Sequence, residues 1–176
     1  MKKILVKAYL SVVQMKNRLK RLTQDGFLYA KHRIKGRPYV AFMTEHYDRE
    51  VATNPDWGLN LDRRFQLDYL KKHGLSSKMT LLDYGCGAAA AGLFMIDFLE
   101  SGKYVGVDIS SGVLEEAKRR IQKAGYTEKR PELHHIPLGN LEVLNGRAFD
   151  FIWAQSVLTH IPPGYILALL KNIRRF

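Results

Sequence analysis

Asp83, Gly85, Gly87 and Asp108 are the residues of this chain whose types and spacing can do chemistry. The run Asp83-Tyr84-Gly85-Cys86-Gly87-Ala88-Ala89-Ala90-Ala91-Gly92 follows a short apolar stretch and leads into an alanine-rich one. Glycines at such a junction let the backbone turn sharply and approach a ligand closely. Asp108 closes a second apolar stretch, 23 residues after Gly85. A carboxylate there can accept hydrogen bonds from ribose hydroxyls. Gly-x-Gly alone is a weak signal; at a strand–helix junction, with an acid ending the next strand, it is much stronger.

Two adenosine-bearing ligands compete for such a loop. Gly85-x-Gly87-x-x-Ala90 also satisfies the dinucleotide fingerprint, so a nicotinamide cofactor is the rival. Asp83 separates them. It stands two residues before the first glycine, so its carboxylate is expected to face the loop, where a pyrophosphate would meet like charge. S-adenosylmethionine instead offers a cationic sulfonium and an ammonium. At an effective dielectric near 20, opposite charges about 4 Å apart attract by roughly 4 kcal/mol, and the same magnitude opposes a phosphate. The residues favour the methyl donor; the plainer alternative is that Asp83 only caps a turn.

These residues need a scaffold. Asp62 to His73 reads as a helix, stopped by Gly74. Met79 to Tyr84 is a candidate buried strand, and Ala88 to Glu100 a strong helix former. Tyr104 to Asp108 is a second strand, followed by a helix capped by Ser110 or Ser111 that stops at Gly125. Leu133 to Ile136 and Phe149 to Ala154 are further short strands, and Pro162-Pro163 opens a last helix. Strands alternating with helices argue for βαβ units and a parallel sheet.

Charge divides the chain. Residues 1–37 hold eleven Lys/Arg and one acid, whereas 38–176 hold 17 basic and 16 acidic groups. The expected organisation is a basic, largely helical N-terminal segment, 1–37, and a domain, 38–176. A helix over residues 3–22 suits a solvated face, an anionic membrane surface met through residues 1–22, or, less favoured, a nucleic-acid backbone. Lys31, Arg33, Lys35 and Arg37 alternate with His32, Ile34 and Gly36, as an exposed strand or a loop would. One cysteine excludes a disulfide framework and a cysteine-clustered zinc site. No apolar run approaches the roughly 18 residues of a membrane-spanning helix. The start imitates a signal peptide, but Lys7 interrupts it; a cytoplasmic setting, peripheral to the membrane if the basic segment binds lipid, is expected.

Leu81-Leu82-Asp83-Tyr84-Gly85-Cys86-Gly87 resembles the first motif of class I S-adenosylmethionine-dependent methyltransferases. Tyr104-Val105-Gly106-Val107-Asp108-Ile109-Ser110 resembles the second-strand motif, and Phe149 to His160 the fourth strand and the loop after it. The resemblance covers about residues 79–175 and implies a Rossmann-like, doubly wound α/β sheet. Of the family's strand order 3-2-1-4-5-7-6, the sequence supplies 3-2-1-4. Strands 5–7 have no counterpart, so a C-terminally truncated member is expected. The fourth strand, within 149–154, would then be an exposed edge open to self-association.

The resemblance also implies roles. The Gly85-Cys86-Gly87 loop passes under the methionine part of the cofactor, and Asp83 holds its amino end. Asp108 binds the ribose hydroxyls and Ile109 packs on the adenine. Asn140, beside Leu141, stands where an Asp often binds the adenine amino group. Gln155 and Ser156 end the fourth strand facing cofactor and substrate, with Thr159 and His160 at the mouth. The usual third glycine of the first motif falls at Ala89.

Methyl transfer needs alignment more than a metal. His160 is the candidate general base for a hydroxyl or protonated amine, with a surface or helix-capping role as the alternative. His134 and His135 fall on opposite faces of a strand, which disfavours a metal pair. Glu45, His46 and Asp48 read as a solvated helix face before an acidic cluster. The fourth-strand exit, Ala154-Gln155-Ser156-Val157, lacks the Asn/Asp-Pro-Pro-aromatic sequence of enzymes that methylate amino groups of adenine or glutamine. The expected acceptor is a small molecule or a lipid- or glycan-linked group; the rivals are a non-catalytic cofactor-binding or interaction protein and, from the basic segment, a nucleic-acid methyltransferase.

Overall fold

The computed structural model describes residues 25–54, 56–58, 62–137, 140–161 and 163–176. The helix expected over 3–22 lies outside them. Two compact units divide the chain, one ending at His46 and the other comprising Tyr47–Phe176.

In the first unit, residues 25–34 form α1, and α2 is Tyr39–Thr53, whose last residues belong to the second unit. Lys31 and Arg33 are therefore helical, not strand or loop; only Lys35 and Arg37 lie in the connection. Burial explains the difference. Leu28 and His32, four residues apart, are both buried, a helical spacing that the alternating charges mask. The His32 ring lies edge-on to Phe42, with ring centroids 6.2 Å apart. Glu45 accepts from Lys31 Nζ at 3.1 Å and pairs with His32 Nε2 at 2.8 Å, while His46 Nδ1 pairs with Asp25 at 3.1 Å. Glu45 and His46 thus have partners within the first unit, and Asp48, which belongs to the second, has its partners there.

The second unit holds α3 (Arg64–Lys72), β1 (Leu81–Tyr84), α4 (Gly92–Phe98), β2 (Tyr104–Asp108), α5 (Ser111–Lys123), β3 (Glu132–His135), β4 (Phe151–Trp153) and α6 (Pro163–Ile173). The strands form one sheet in the order β3-β2-β1-β4, with every neighbouring pair parallel. Leu81 is in register with Tyr104 and Phe151, and Asp83 with Gly106 and Trp153. Alternate residues face opposite sides. Leu81 and Tyr104 join Leu67, Leu70, Met95, Ile96, Ala117 and Ile121 under α3, α4 and α5. Leu82, Tyr84, Val105 and Val107 join Ile136, Leu141, Leu144 and Leu169 on the other side. Burial on both faces is why β1 and β2 read as unbroken apolar runs.

α4 begins at Gly92, four residues later than the alanine-rich sequence suggests. Ala88 to Ala91 form turns instead, with Ala89 at φ +56°. The loop leaving β1 needs that length to cross the sheet end, and this tertiary demand overrides alanine's helix propensity. At the other end Leu99 is extended, and Glu100 N–H donates to the Ser77 carbonyl at 2.8 Å. α5 follows the sequence closely: the Ser110 side chain accepts from Val113 N–H at 3.0 Å, and Gly125 lies just past its end at φ +76°. Among the described residues, no helix is long and apolar enough to cross a membrane.

Gly106 shows how tightly β2 meets the loop. A β-carbon there would lie 2.8 Å from Leu133 Cδ2 and 2.9 Å from Cys86 Sγ. Gly106→Ala is expected to destabilise the protein by about 1–3 kcal/mol through overpacking. Urea denaturation checks this, and an unchanged midpoint would mean that the contact yields freely.

Candidate functional site

The site begins where β1 ends. Gly85 and Cys86 both donate their N–H to the Val107 carbonyl, at 2.8 and 3.1 Å, which turns the chain off the strand and across the end of β2. Gly85 and Gly87 sit at φ +74° and +57°, in the left-handed region that glycine enters without strain. A β-carbon on Gly85 would also meet Val157 Cγ2 at 2.5 Å. Ala89, where the family's third glycine usually falls, adopts φ +56° as well. The loop keeps the glycine conformation there, at a cost of roughly 1–2 kcal/mol for a residue with a β-carbon.

Two carboxylates flank this loop, in different surroundings. Asp83 is buried, and its Oδ2 accepts a hydrogen bond from the Tyr104 hydroxyl at 2.8 Å. Burial pushes its carboxyl up to about 6; the Tyr104 bond works against that rise and the neighbouring Asp108 adds to it. Asp108 is also buried, but the backbone solvates it. Gly87 N–H donates to Oδ2 and Ser110 N–H to Oδ1, each at 3.0 Å. Burial raises its pKa, and these donors, with the Ile109 backbone and the nearby His135, oppose the rise. A carboxylate has about four acceptor positions, so Asp108 keeps capacity for a ligand hydroxyl. Asp83 shows what a cation would find here: a buried anion whose hydrogen-bond donor is a neutral hydroxyl.

Support comes from residues that the sequence reading passed over. Arg120, buried in α5, donates from Nη1 to the Ala88 carbonyl at 3.3 Å, from Nη2 to the Trp57 carbonyl at 2.9 Å and from Nε to Glu116 at 2.6 Å. It thereby ties the segment around Trp57 to the loop. A β-carbon on Gly87 would touch Trp57 Cζ3 at 3.5 Å, so the indole lies beside the loop rather than simply filling the core. The signal was present: Arg120 interrupts the buried stripe of Val113, Leu114, Ala117 and Ile121. Gln66, buried in α3, accepts from Trp153 Nε1 at 2.7 Å and donates to Gln155 Oε1 at 3.4 Å. Gln155 is therefore held by α3 at the exit of β4.

The remaining expected residues separate. Cys86 turns its buried sulfur toward Gly106, and burial pushes its thiol well up, so the loop can offer a ligand only its backbone there. Ile109 is half-buried against the second core, and its carbonyl accepts from His135 Nε2 at 3.0 Å. Asn140 is exposed, and its Oδ1 accepts from Glu142 N–H at 3.0 Å, a local turn. The Leu141 side chain belongs to the core, which leaves only its backbone for a ligand. Ser156 is exposed at φ +59°, and its carbonyl accepts from the Thr159 hydroxyl at 3.1 Å. His160 ends the 3-10 turn Leu158–His160, and its side chain lies outside the described residues. His134 pairs with Glu132 at 3.1 Å, and among the described residues no group of His, Cys, Asp and Glu is placed to hold a metal ion.

Tyr104→Phe removes the one hydrogen bond that holds the Asp83 carboxyl down, so Asp83 is expected to titrate above pH 6 in the variant. Carboxyl-carbon NMR across pH 4–8 reads this directly, and an unchanged or lower midpoint would contradict it. The sign for stability follows. Asp83 binds its proton more tightly folded than unfolded, so it favours the folded state at low pH, and that contribution is lost as pH rises through about 6.

Residues 81–176 match the model of a family described as a methyltransferase domain. A probable methyltransferase, ltbC, of Aspergillus luteorubrus is 30% identical over 117 residues, covering 63% of this chain and 39% of that protein. An uncharacterized protein of Haemophilus influenzae is 36% identical over 83 residues, 46% of this chain and 32% of its own length. The chain thus spans well under half of these curated relatives. The fold is shared with magnesium protoporphyrin IX methyltransferase from Synechocystis, solved with S-adenosylmethionine bound, at TM-score 0.53 and 21% identity over 61% of this chain and 49% of that one. It is shared too with the PH0226 protein of Pyrococcus horikoshii, at TM-score 0.55 and 21% identity over 72% and 59%. With its glycine loop, its two acids and a family match over more than half its length, the chain belongs to the class I methyltransferases that use S-adenosylmethionine as methyl donor.

Proposed function

We propose that this protein transfers a methyl group from S-adenosylmethionine to a small-molecule or a lipid- or glycan-linked acceptor. The observation that carries the reading is the pair of unlike buried carboxylates across one glycine loop. Asp108, held by backbone donors, would accept from the ribose. Asp83, buried with the Tyr104 hydroxyl as its donor, would hold the donor's cationic methionine end. The donor supplies an electrophilic methyl group: the acceptor's lone pair forms the new bond to carbon as the carbon–sulfur bond breaks, and that bond's electron pair stays on sulfur. The chain's part is to align the two and exclude water. His160, just after β4, is our candidate to take a proton from a hydroxyl or protonated amine acceptor. The β4 exit Ala154-Gln155-Ser156-Val157 supports an acceptor other than a nucleobase amine.

Calorimetry tests the donor site. At pH 7.5 saturable S-adenosylmethionine binding is expected, with none for NAD. Asp108→Ala should weaken it at least about tenfold, since hydrogen bonds to a charged group are each worth roughly 1.5–3 kcal/mol. Binding should also weaken at pH 5, where Asp83 carries its proton. No binding by the folded protein would sink this reading in favour of a non-catalytic interaction protein.

A second reading concerns where the acceptor lies. Phe27 and Ile34 on α1 are 77% and 86% exposed, seven residues apart and so on one helix face, beside Arg33, Lys35 and Arg37. Exposed apolar side chains among cations suit an anionic lipid surface better than a phosphate backbone. The protein is expected to co-sediment with vesicles of phosphatidylcholine and phosphatidylserine, but not with phosphatidylcholine alone. Phe27→Ser with Ile34→Ser should lower the bound fraction, and equal pelleting in every case would refute the lipid reading.

A further inference from the structure

The Asp108 carboxylate is the end of a longer chain of hydrogen bonds. Its Oδ1 accepts from Ser110 N–H at 3.0 Å. The Ser110 hydroxyl accepts from Val113 N–H at 3.0 Å and donates to Asp48 Oδ1 at 2.5 Å. The same Asp48 oxygen accepts from Gly112 N–H at 3.1 Å. Asp48 therefore reaches from the end of α2 to the first turn of α5, where negative charge meets the positive end of the helix dipole. A β-carbon on Gly112 would lie 2.9 Å from Asp48 Oδ1, so the residue at 112 must be small for this approach. Ser110 is the joint: fully buried, its hydroxyl is fixed by Asp48 and its N–H is aimed at Asp108.

We propose that Asp48 is a positioning residue for ribose recognition: by holding Ser110 and the start of α5, it fixes the direction in which the Asp108 carboxylate presents its free acceptor positions. This rests on the donor-site reading above. A plain structural role would weaken every ligand alike. A positioning role should act on the ribose hydroxyls in particular, because a carboxylate that swings loses the alignment on which hydrogen-bond strength depends. Asn at this position retains an Oδ1 that can accept from both Ser110 and Gly112, whereas Ala retains nothing.

The test compares S-adenosylhomocysteine with its 2′,3′-dideoxyribose analogue by calorimetry. Wild-type protein should prefer the parent ligand by at least about tenfold, the weight of a charge-assisted hydrogen bond. Asp48→Ala should cut that preference to threefold or less, and Asp48→Asn should restore most of it. Circular dichroism checks that each variant is folded. Should Asp48→Ala not fold, Ser110→Ala, which keeps the 110 N–H but removes the hydroxyl link, should show the same collapse. A preference that stays at the wild-type value in a folded Asp48→Ala or Ser110→Ala protein, even with both ligands weakened, overturns the proposal and leaves the donor site standing. Failure of the wild type to bind the parent ligand removes the donor site and this proposal together.

Discussion

The Val107 carbonyl is the point on which the site turns. By accepting from both Gly85 and Cys86, it stops β1 from continuing as a strand and bends the chain over the end of β2. The bend brings Gly87 N–H to the Asp108 carboxylate and sends the Cys86 side chain inward beneath Gly106. A parallel pair of strands presents such carbonyls at its C-terminal edge, where the chain must leave the sheet. The positive φ values of Gly85, Gly87 and Ala89 are the local cost of this path. The late start of α4 has the same origin.

The two acids differ in their surroundings. Both are buried and sit at the ends of adjacent parallel strands. Asp108 is met by backbone N–H groups, a fixed solvation that keeps it a competent acceptor. Asp83 has the Tyr104 hydroxyl and stands nearer to neutrality, with its carboxyl at about 6. Burial thus disfavours the charged form of Asp83. A cation bound beside Asp83 would offset that cost, which couples ligand charge to the protonation of the site.

Elements ahead of the family-matched region, 81–176, contact the residues of the candidate site. α3 contributes Gln66 to the exit of β4, the segment around Trp57 lies against Gly87, and Asp48 caps α5. These contacts are polar and directional, which suits positioning better than bulk adhesion. Arg120 binds the Trp57 segment to the loop through two carbonyls, and its removal would leave the buried one, on Ala88, without this donor.

The sequence alone determined the architecture: strands buried on both faces read as apolar runs, glycines and caps punctuated the helices, and the order β3-β2-β1-β4 follows from the motifs the family shares. It also marked Asp83, Gly85, Gly87 and Asp108 as candidate site residues, and the structure places all four around the loop that leaves β1. The tertiary structure decided what depends on distant partners. Alanine propensity gave way to the bend after β1, and a charge-alternating segment proved helical because Leu28 and His32 needed a common buried face. Leu141 and Cys86 turned their side chains into the core. Asp48, Gln66 and Arg120 took their meaning from groups between 32 and 89 residues away. Local patterns encode periodicity and turn geometry; which buried polar group meets which is settled only when the packed chain must satisfy all of them at once.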